Sequence, residues 1–258
     1  MSHKVGAVAP THKASLCFPP PQAGEEGREG AEFDWSRIEN ELNEFGYAVA
    51  PGLLTAAQCA ALAVCYDEES RFRSRIVMAR HNFGRGEYRY FSYPLPEMVA
   101  GLRTSLYQPL VAIANRWQGR LGLAARFPVT HPEFLRICHA AGQKRPTPLL
   151  LRYGAGDYNC LHQDLYGEQV FPIQATVLLS APERDFTGGE FVLTEQRPRM
   201  QSRAEIVPLG HGDAVFFAVN QRPVRGTRGD YRVTMRHGVS RIRSGRRMTL
   251  GIIFHDAG

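Results

Sequence analysis

The sequence predicts a mainly β protein with flanking helices, and three observations point there. Short apolar or alternating runs recur after Thr147, eight in all, at 149–153, 158–164, 170–180, 190–194, 204–208, 214–219, 231–239 and 247–254. Turn signals separate them, among them Gly154-Ala155-Gly156, Thr187-Gly188-Gly189, Gly210-His211-Gly212-Asp213 and Arg228-Gly229-Asp230. Before Thr147 the apolar residues instead recur at helical spacing. Eight strands without intervening helices suit a double-sheet jelly roll or a barrel, with the earlier helices packed on one sheet.

In chain order, residues 1–32 hold Pro19, Pro20 and Pro21 and few large apolar side chains after Phe18, so burial cannot offset the entropy of ordering them. A disordered tail is expected there. From Asp34, a candidate N-cap, Trp35, Ile38, Leu42 and Phe45 follow helical spacing until Gly46 stops the pattern, and a strand at 47–50 comes next. Thr55 caps an alanine-rich helix reaching Tyr66, a second long helix spans 98–121, and another begins near His131. Residues 33–146 read as a helical support carrying an aromatic hairpin or lid, 147–258 as the β core, and the two together as one domain.

Composition removes several classes. The chain has 258 residues, 43% hydrophobic and 22% charged, which excludes collagen-like and wholly disordered readings. Its five cysteines are odd in number and scattered, with no C-x-x-C pair, against a disulfide framework or a cysteine-built zinc site. No apolar run approaches the ~18 residues of a membrane-spanning helix and no secretory signal opens the chain, so a cytoplasmic monomer with no membrane partner is expected. The net charge of +6 is unevenly placed: between positions 197 and 247 twelve arginines and no lysine stand against Glu205, Asp213 and Asp230, a surplus of nine. Such a stretch suits a polyanion such as nucleic acid; a solvated surface of scattered ion pairs is the plainer alternative.

The chemistry concentrates on a few residues. His162 and Asp164 stand two apart in an expected strand and therefore leave the same face. His237 alternates with Val233, Met235 and Val239, which turns it inward. Two histidines and one carboxylate form the facial set that holds non-haem iron(II) and leaves open positions for a bidentate keto acid and dioxygen. On the last strand Arg247 and Thr249 share a face, with Arg246 on the other; a guanidinium beside a hydroxyl suits the distal carboxylate of a dicarboxylate.

The ordered series Tyr153-Gly154-Ala155-Gly156, Leu161-His162-Gln163-Asp164, Gly210-His211-Gly212-Asp213, His237 and Arg247-Met248-Thr249 resembles the iron(II)- and 2-oxoglutarate-dependent dioxygenases. Within them it looks like the AlkB-type oxidative demethylases of alkylated nucleic acid bases. The segment from Gly46 to Leu54 resembles the lead-in common before the core of this superfamily, so the likeness runs from Phe45 to the C-terminus. It implies a double-stranded β-helix core, jelly-roll or cupin-like, using Fe(II), 2-oxoglutarate as cosubstrate and O2. It further implies that His162, Asp164 and His237 bind iron, that Arg247 grips 2-oxoglutarate, and that Tyr153 and Thr249 assist. Asp213 is expected to order its turn, and His211 and His255 to stay outside the ligand set.

Three departures bear on the substrate. Ile253 stands where AlkB-type proteins carry a second arginine, Leu165-Tyr166-Gly167-Glu168 replaces the usual acidic cluster, and Thr187-Gly188-Gly189-Glu190-Phe191 looks as much like the prolyl-hydroxylase branch. The expected reaction is oxidative demethylation of N-alkylated bases in DNA or RNA, as in repair of damage, releasing formaldehyde, succinate and carbon dioxide. Tyr88, Arg89, Tyr90 and Tyr93, aromatic residues interleaved with arginine, are candidate contacts for a flipped base. The competing reading is a hydroxylase of a protein side chain or small molecule. A third is a binding module whose histidines are structural.

Overall fold

A computed structural model describes residues 33–124 and 126–258. The expected tail at 1–32 lies outside the described residues. The elements run α1 (Trp35–Phe45), β1 (Tyr47–Ala50), α2 (Ala56–Cys65), β2 (Phe72–Val77), β3 (Gly84–Arg85), β4 (Glu87–Phe91), α3 (Glu97–Arg120) and α4 (His131–Ala140). There follow β5 (Leu149–Gly154), β6 (Tyr158–His162), β7 (Ile173–Leu178), β8 (Phe186–Gly188), β9 (Phe191–Gln196), β10 (Arg203–Val207), β11 (Ala214–Ala218), β12 (Gln221–Gly226), β13 (Gly229–Val239) and β14 (Ile242–Ile252).

Local chemistry accounts for the helix ends. The Asp34 carboxylate accepts from the Arg37 amide at 2.9 Å to start α1, and Gly46, at φ +83°, ends it with its own N–H on the Leu42 carbonyl. Thr55 and Gln58 form a reciprocal capping box at the start of α2. Ile38 and Leu42 of α1 and Cys59, Leu62 and Cys65 of α2 are buried in one cluster with Trp117 of α3, Phe134 of α4, Val177, Phe216 and Leu250. Trp35 meets Phe216 at 5.6 Å between ring centroids, so α1 lies against β11.

Two antiparallel sheets carry the β structure. The larger has the order β1-β11-β7-β14-β5-β4-β2, with β8 beside β14; the smaller has β10-β9-β13-β6-β3, with β12 beside β13. Across the larger sheet the registers align Leu178, Thr249, Leu151 and Tyr88 in one row, and Thr176, Gly251, Leu149 and Tyr90 in the next. Arg247 opposite Tyr153 extends this surface at one end, and Gln174 opposite Phe217 at the other.

All eight sequence-derived strands have counterparts, with shifted bounds. Strand β6 ends at His162, so Asp164 lies beyond the ladder rather than inside the strand. Gln163 holds the chain there by donating to the Met235 carbonyl and the Asn220 side chain, both at 2.7 Å. Strand β7 begins after Pro172, which has no N–H to give a ladder. The short strands β2, β3, β8 and β12 were outside the expected set. In β12 the apolar period is interrupted by Pro223 and by fully buried Arg222, which pairs with Glu195 and donates to the Asn43 and Glu44 carbonyls. Among the described residues no helix is long and apolar enough to cross a membrane.

Candidate active site

A cavity of about 320 Å3 opens among β4, β5, β6, β7, β13 and β14. His162 and His237 oppose each other directly across β6 and β13. Asp164 folds back beside them, and the three residues offer ligand atoms that all lie within 4.8 Å of one another. The carboxylate has Oδ2 at 3.4 Å from His237 Nε2 and Oδ1 at 3.6 Å from His162 Nε2.

Each ligand candidate is held from behind. His162 Nδ1 sits 2.8 Å from the Cys160 carbonyl, so that nitrogen carries the proton and Nε2 presents its lone pair to the centre. The His237 ring packs against Phe217 at 4.6 Å and Phe191 at 6.0 Å. Burial works against the Asp164 charge, but the His237 hydrogen bond, the two imidazoles and the Tyr166 hydroxyl outweigh it and hold the carboxyl well below its usual range. Burial and the neighbouring His237 push His162 downward, which keeps it neutral and ligand-competent.

Arg247 lies in the same cavity, 1% exposed. Its Nε and Nη1 are buried without a hydrogen-bond partner among the described residues. Burial lowers its pKa to about 10, against the pull of Tyr153 and Glu190, so it remains a cation at neutral pH. A buried guanidinium with free donors calls for an anion, and Thr249 stands two residues along the same face. Gly189, at φ +67°, lets the preceding turn close over this arginine: a Cβ there would meet Ile242 Cδ1 at 2.2 Å and Arg247 Cδ at 2.9 Å. Tyr153 is fully buried beside the guanidinium, which lies 5.7 Å from its ring centre, and its hydroxyl accepts from Asn159 at 3.4 Å.

The donor set would suit an iron(II) ion, and the free arginine would suit a carboxylate of a dicarboxylate cosubstrate.

The structure separates the four aromatic-segment candidates. Tyr88 and Tyr90 line the cavity. Arg89, between them on β4, points to the opposite face, where it donates to the Tyr66 carbonyl at 3.0 Å and lies over the Tyr66 ring. Tyr93 follows β4 and donates to Asp256 at 2.9 Å while accepting from Arg103 at 3.1 Å, away from the cavity. The basic stretch is divided as well: Arg222 and Arg247 are buried, Arg197 pairs with Glu195 and Arg225 with Asp230, whereas Arg232, Arg236, Arg241, Arg243 and Arg246 are exposed. Asp213 accepts from the Gly52 and Gly210 amides at 2.8 and 2.7 Å and so orders its turn. His255 is buried and accepts from the Phe171 amide at 3.3 Å, outside the triad.

Residues without an assigned role at the sequence level also reach the cavity, notably Asn82, Phe83, Asn159, Tyr166, Gln174 and Thr176. Gln174 and Thr176 left a signal, since two polar residues alternate within an otherwise apolar run that is buried throughout. Phe83 is 47% exposed at the cavity wall and stacks on His81 at 5.4 Å, and Arg80 and Arg85, three residues before it and two after it in the chain, are exposed.

Known proteins resemble the chain in sequence and in fold. Two proteins of Mycobacterium tuberculosis, each named as uncharacterized, are 50% identical over 167 residues, covering 65% of this chain and 72% of theirs. A prolyl-4-hydroxylase from Pseudomonas putida shares the fold at TM-score 0.52 and 16% identity, over 87% of this chain and all of that one. A 2OG-Fe(II) oxygenase family oxidoreductase from Burkholderia pseudomallei does so at TM-score 0.51 and 15% identity, over 88% of this chain and 94% of its own. A prolyl hydroxylase from Trichoplax adhaerens, solved with a hypoxia inducible factor peptide, gives TM-score 0.53 at 15% identity, over 86% and 89% of the two chains. The Oxygenase-NA family model, described as an oxygenase catalysing oxidative methylation of damaged DNA, matches residues 86–257. The chain therefore belongs to the Oxygenase-NA family of oxygenases, and it shares the fold of the 2-oxoglutarate- and iron(II)-dependent oxygenases.

Proposed function

We propose that this oxygenase removes N-linked alkyl groups from bases of damaged nucleic acid. The carrying observation is the His162, Asp164 and His237 cluster sharing one cavity with the unpartnered Arg247, in a chain whose family model is described for damaged DNA. On this reading the two sheets form a double-stranded β-helix, and His162, Asp164 and His237 hold the iron. Arg247 takes the distal carboxylate of 2-oxoglutarate through its planar donor edge, and Thr249 and Tyr153 flank it. With O2, this centre supplies an oxidant for unactivated C–H bonds while 2-oxoglutarate is converted to succinate and carbon dioxide.

The protein's own residues then select and orient. Tyr88 and Tyr90 wall the cavity as flat apolar surfaces against which a base extruded from its strand can lie. Phe83, half exposed at the cavity wall, can stack on a neighbouring base, and Arg80 and Arg85 lie close enough in the chain to neutralise flanking phosphates. An N-methyl group that gains a hydroxyl becomes a hemiaminal, which breaks its C–N bond to release formaldehyde and the unmodified base.

The test presents iron-loaded protein and 2-oxoglutarate with a methylated oligonucleotide and, separately, its unmethylated twin. Formaldehyde from the methylated strand alone is expected. Succinate with no formaldehyde from either strand would turn the assignment toward hydroxylation of a protein side chain or small molecule.

A further inference from the structure

The two oxygens of Asp164 have different neighbours. Oδ2 faces His237 Nε2 at 3.4 Å, whereas Oδ1 lies 3.6 Å from His162 Nε2 and also accepts a hydrogen bond from the Tyr166 hydroxyl at 2.7 Å. The Tyr166 hydroxyl in turn accepts from Tyr90 at 2.9 Å. This gives a directed series, Tyr90 to Tyr166 to Asp164, that ends on the only acidic member of the triad.

The series is anchored at both ends. Tyr90 is 8% exposed, and the Arg73 guanidinium lies 4.4 Å from its ring centre. Tyr166 is held by its backbone as well as its hydroxyl: Gln143 Nε2 donates to the Tyr166 and Gln169 carbonyls, both at 3.1 Å, and to the Asp256 carbonyl at 2.6 Å. Gln143 Oε1 accepts from the Gln169 amide at 2.7 Å. Gly167, at φ +121°, makes room for that glutamine, because a Cβ there would meet Gln143 Cδ at 2.5 Å. Ile253 and Leu149 complete an apolar packing around the two tyrosines.

A carboxylate can rotate about its own axis and offer a cation either oxygen or both. A short hydrogen bond from a neutral hydroxyl to an ionised oxygen is among the stronger kinds, and here it occupies Oδ1 and fixes the plane of the group. We infer that Tyr166 is a positioning residue for Asp164, fixing the carboxylate plane so that Oδ2 faces His237 and Oδ1 faces His162, and that the Tyr90 hydroxyl orients Tyr166. This role rests on the proposed triad. Within the Leu165-Tyr166-Gly167-Glu168 segment, the tyrosine thus supplies a donor to the ligand carboxylate, and the glycine admits the side chain that fastens the loop.

The experiment titrates Co(II), a redox-stable probe, into wild-type, Tyr166→Phe, Tyr90→Phe and Asp164→Ala proteins in the presence of 2-oxoglutarate, following the visible absorption of the bound ion. Melting of each metal-free protein is measured alongside. Tyr166→Phe is expected to weaken Co(II) binding by ~10-fold, Tyr90→Phe by less, and neither to change metal-free melting appreciably. Tyr166→Phe binding within twofold of wild type, whether or not melting falls, overturns the positioning role if Asp164→Ala loses the ion. Undiminished binding by Asp164→Ala would instead overturn the triad itself, and the positioning role with it.

Discussion

His162 and His237 are directly paired across two antiparallel strands, with ring centroids 4.2 Å apart although 75 residues separate them in the chain. Their proximity is a property of the β6–β13 ladder. The ladder shifts register between His237 and Val239, where Gly238 sits so close to the Asn159 carbonyl that a Cβ would meet it at 2.7 Å. The site is therefore built into the sheet, and the third ligand candidate is added by the turn after β6.

Asp164→Ala is accordingly expected to lose bound iron and turnover while keeping the fold. The carboxylate lies outside the ladder, so its removal leaves the β6–β13 pairing intact. Metal content after dialysis and succinate release check this; retained turnover would refute the ligand role.

Arg247→Met carries two opposed expectations. The concentration of 2-oxoglutarate needed for half-maximal turnover should rise by roughly 100-fold, because one or two charge-assisted hydrogen bonds of about 1.5–3 kcal/mol each are lost. The cosubstrate-free protein should become more stable, by about 1–3 kcal/mol, since a buried cation with two unpartnered nitrogens is replaced by an apolar chain. Denaturant unfolding without 2-oxoglutarate checks the second. A less stable variant would mean that the guanidinium is satisfied in the free protein.

Phe83→Ala and Arg85→Ala should weaken oligonucleotide binding in distinguishable ways. Loss of a stacking ring costs about 1–3 kcal/mol and leaves the salt dependence nearly unchanged. Loss of one phosphate contact lowers the slope of log K against log salt by about 1. Binding isotherms at several salt concentrations separate the two, and neither change should alter the 2-oxoglutarate requirement.

Stability should fall as pH drops from about 6.5 toward 4. Burial, aided by the nearby Arg103 cation, lowers both His131 and His255 to about 4 from the ordinary 6.5. Within that window the unfolded chain binds protons that the folded chain does not, so stability rises with pH there and the contribution is complete above it. The two histidines together account for several kcal/mol, roughly 3 each. Urea midpoints between pH 4 and 7 measure the effect; replacing His131 with Gln should flatten the curve by about half.

Much of this site was legible in the sequence because it follows strand periodicity. The alternation through Val233, Met235, His237 and Val239 turned the histidine inward, and the same period put Arg247 and Thr249 on one buried face. Period two also carries the distinction between Tyr88 and Tyr90 on one side and Arg89 on the other, once 87–91 is recognised as a strand. What escaped depends on pairing between distant segments. Tyr166 sits in an irregular turn, and its relation to Asp164 and Tyr90 needs the tertiary fold. Arg222 looked like part of a basic surface until its partner Glu195 was in place. The fold was readable from patterns within segments, whereas burial of charge was not.

The most direct measurement of the central claim is the ratio of formaldehyde to succinate formed from a methylated oligonucleotide by wild-type protein and by Asp164→Ala. A ratio near one for the wild type, with both products absent from the variant, is the predicted result. Formaldehyde and succinate persisting in the variant, or succinate from the wild type without formaldehyde, would contradict base demethylation at this triad.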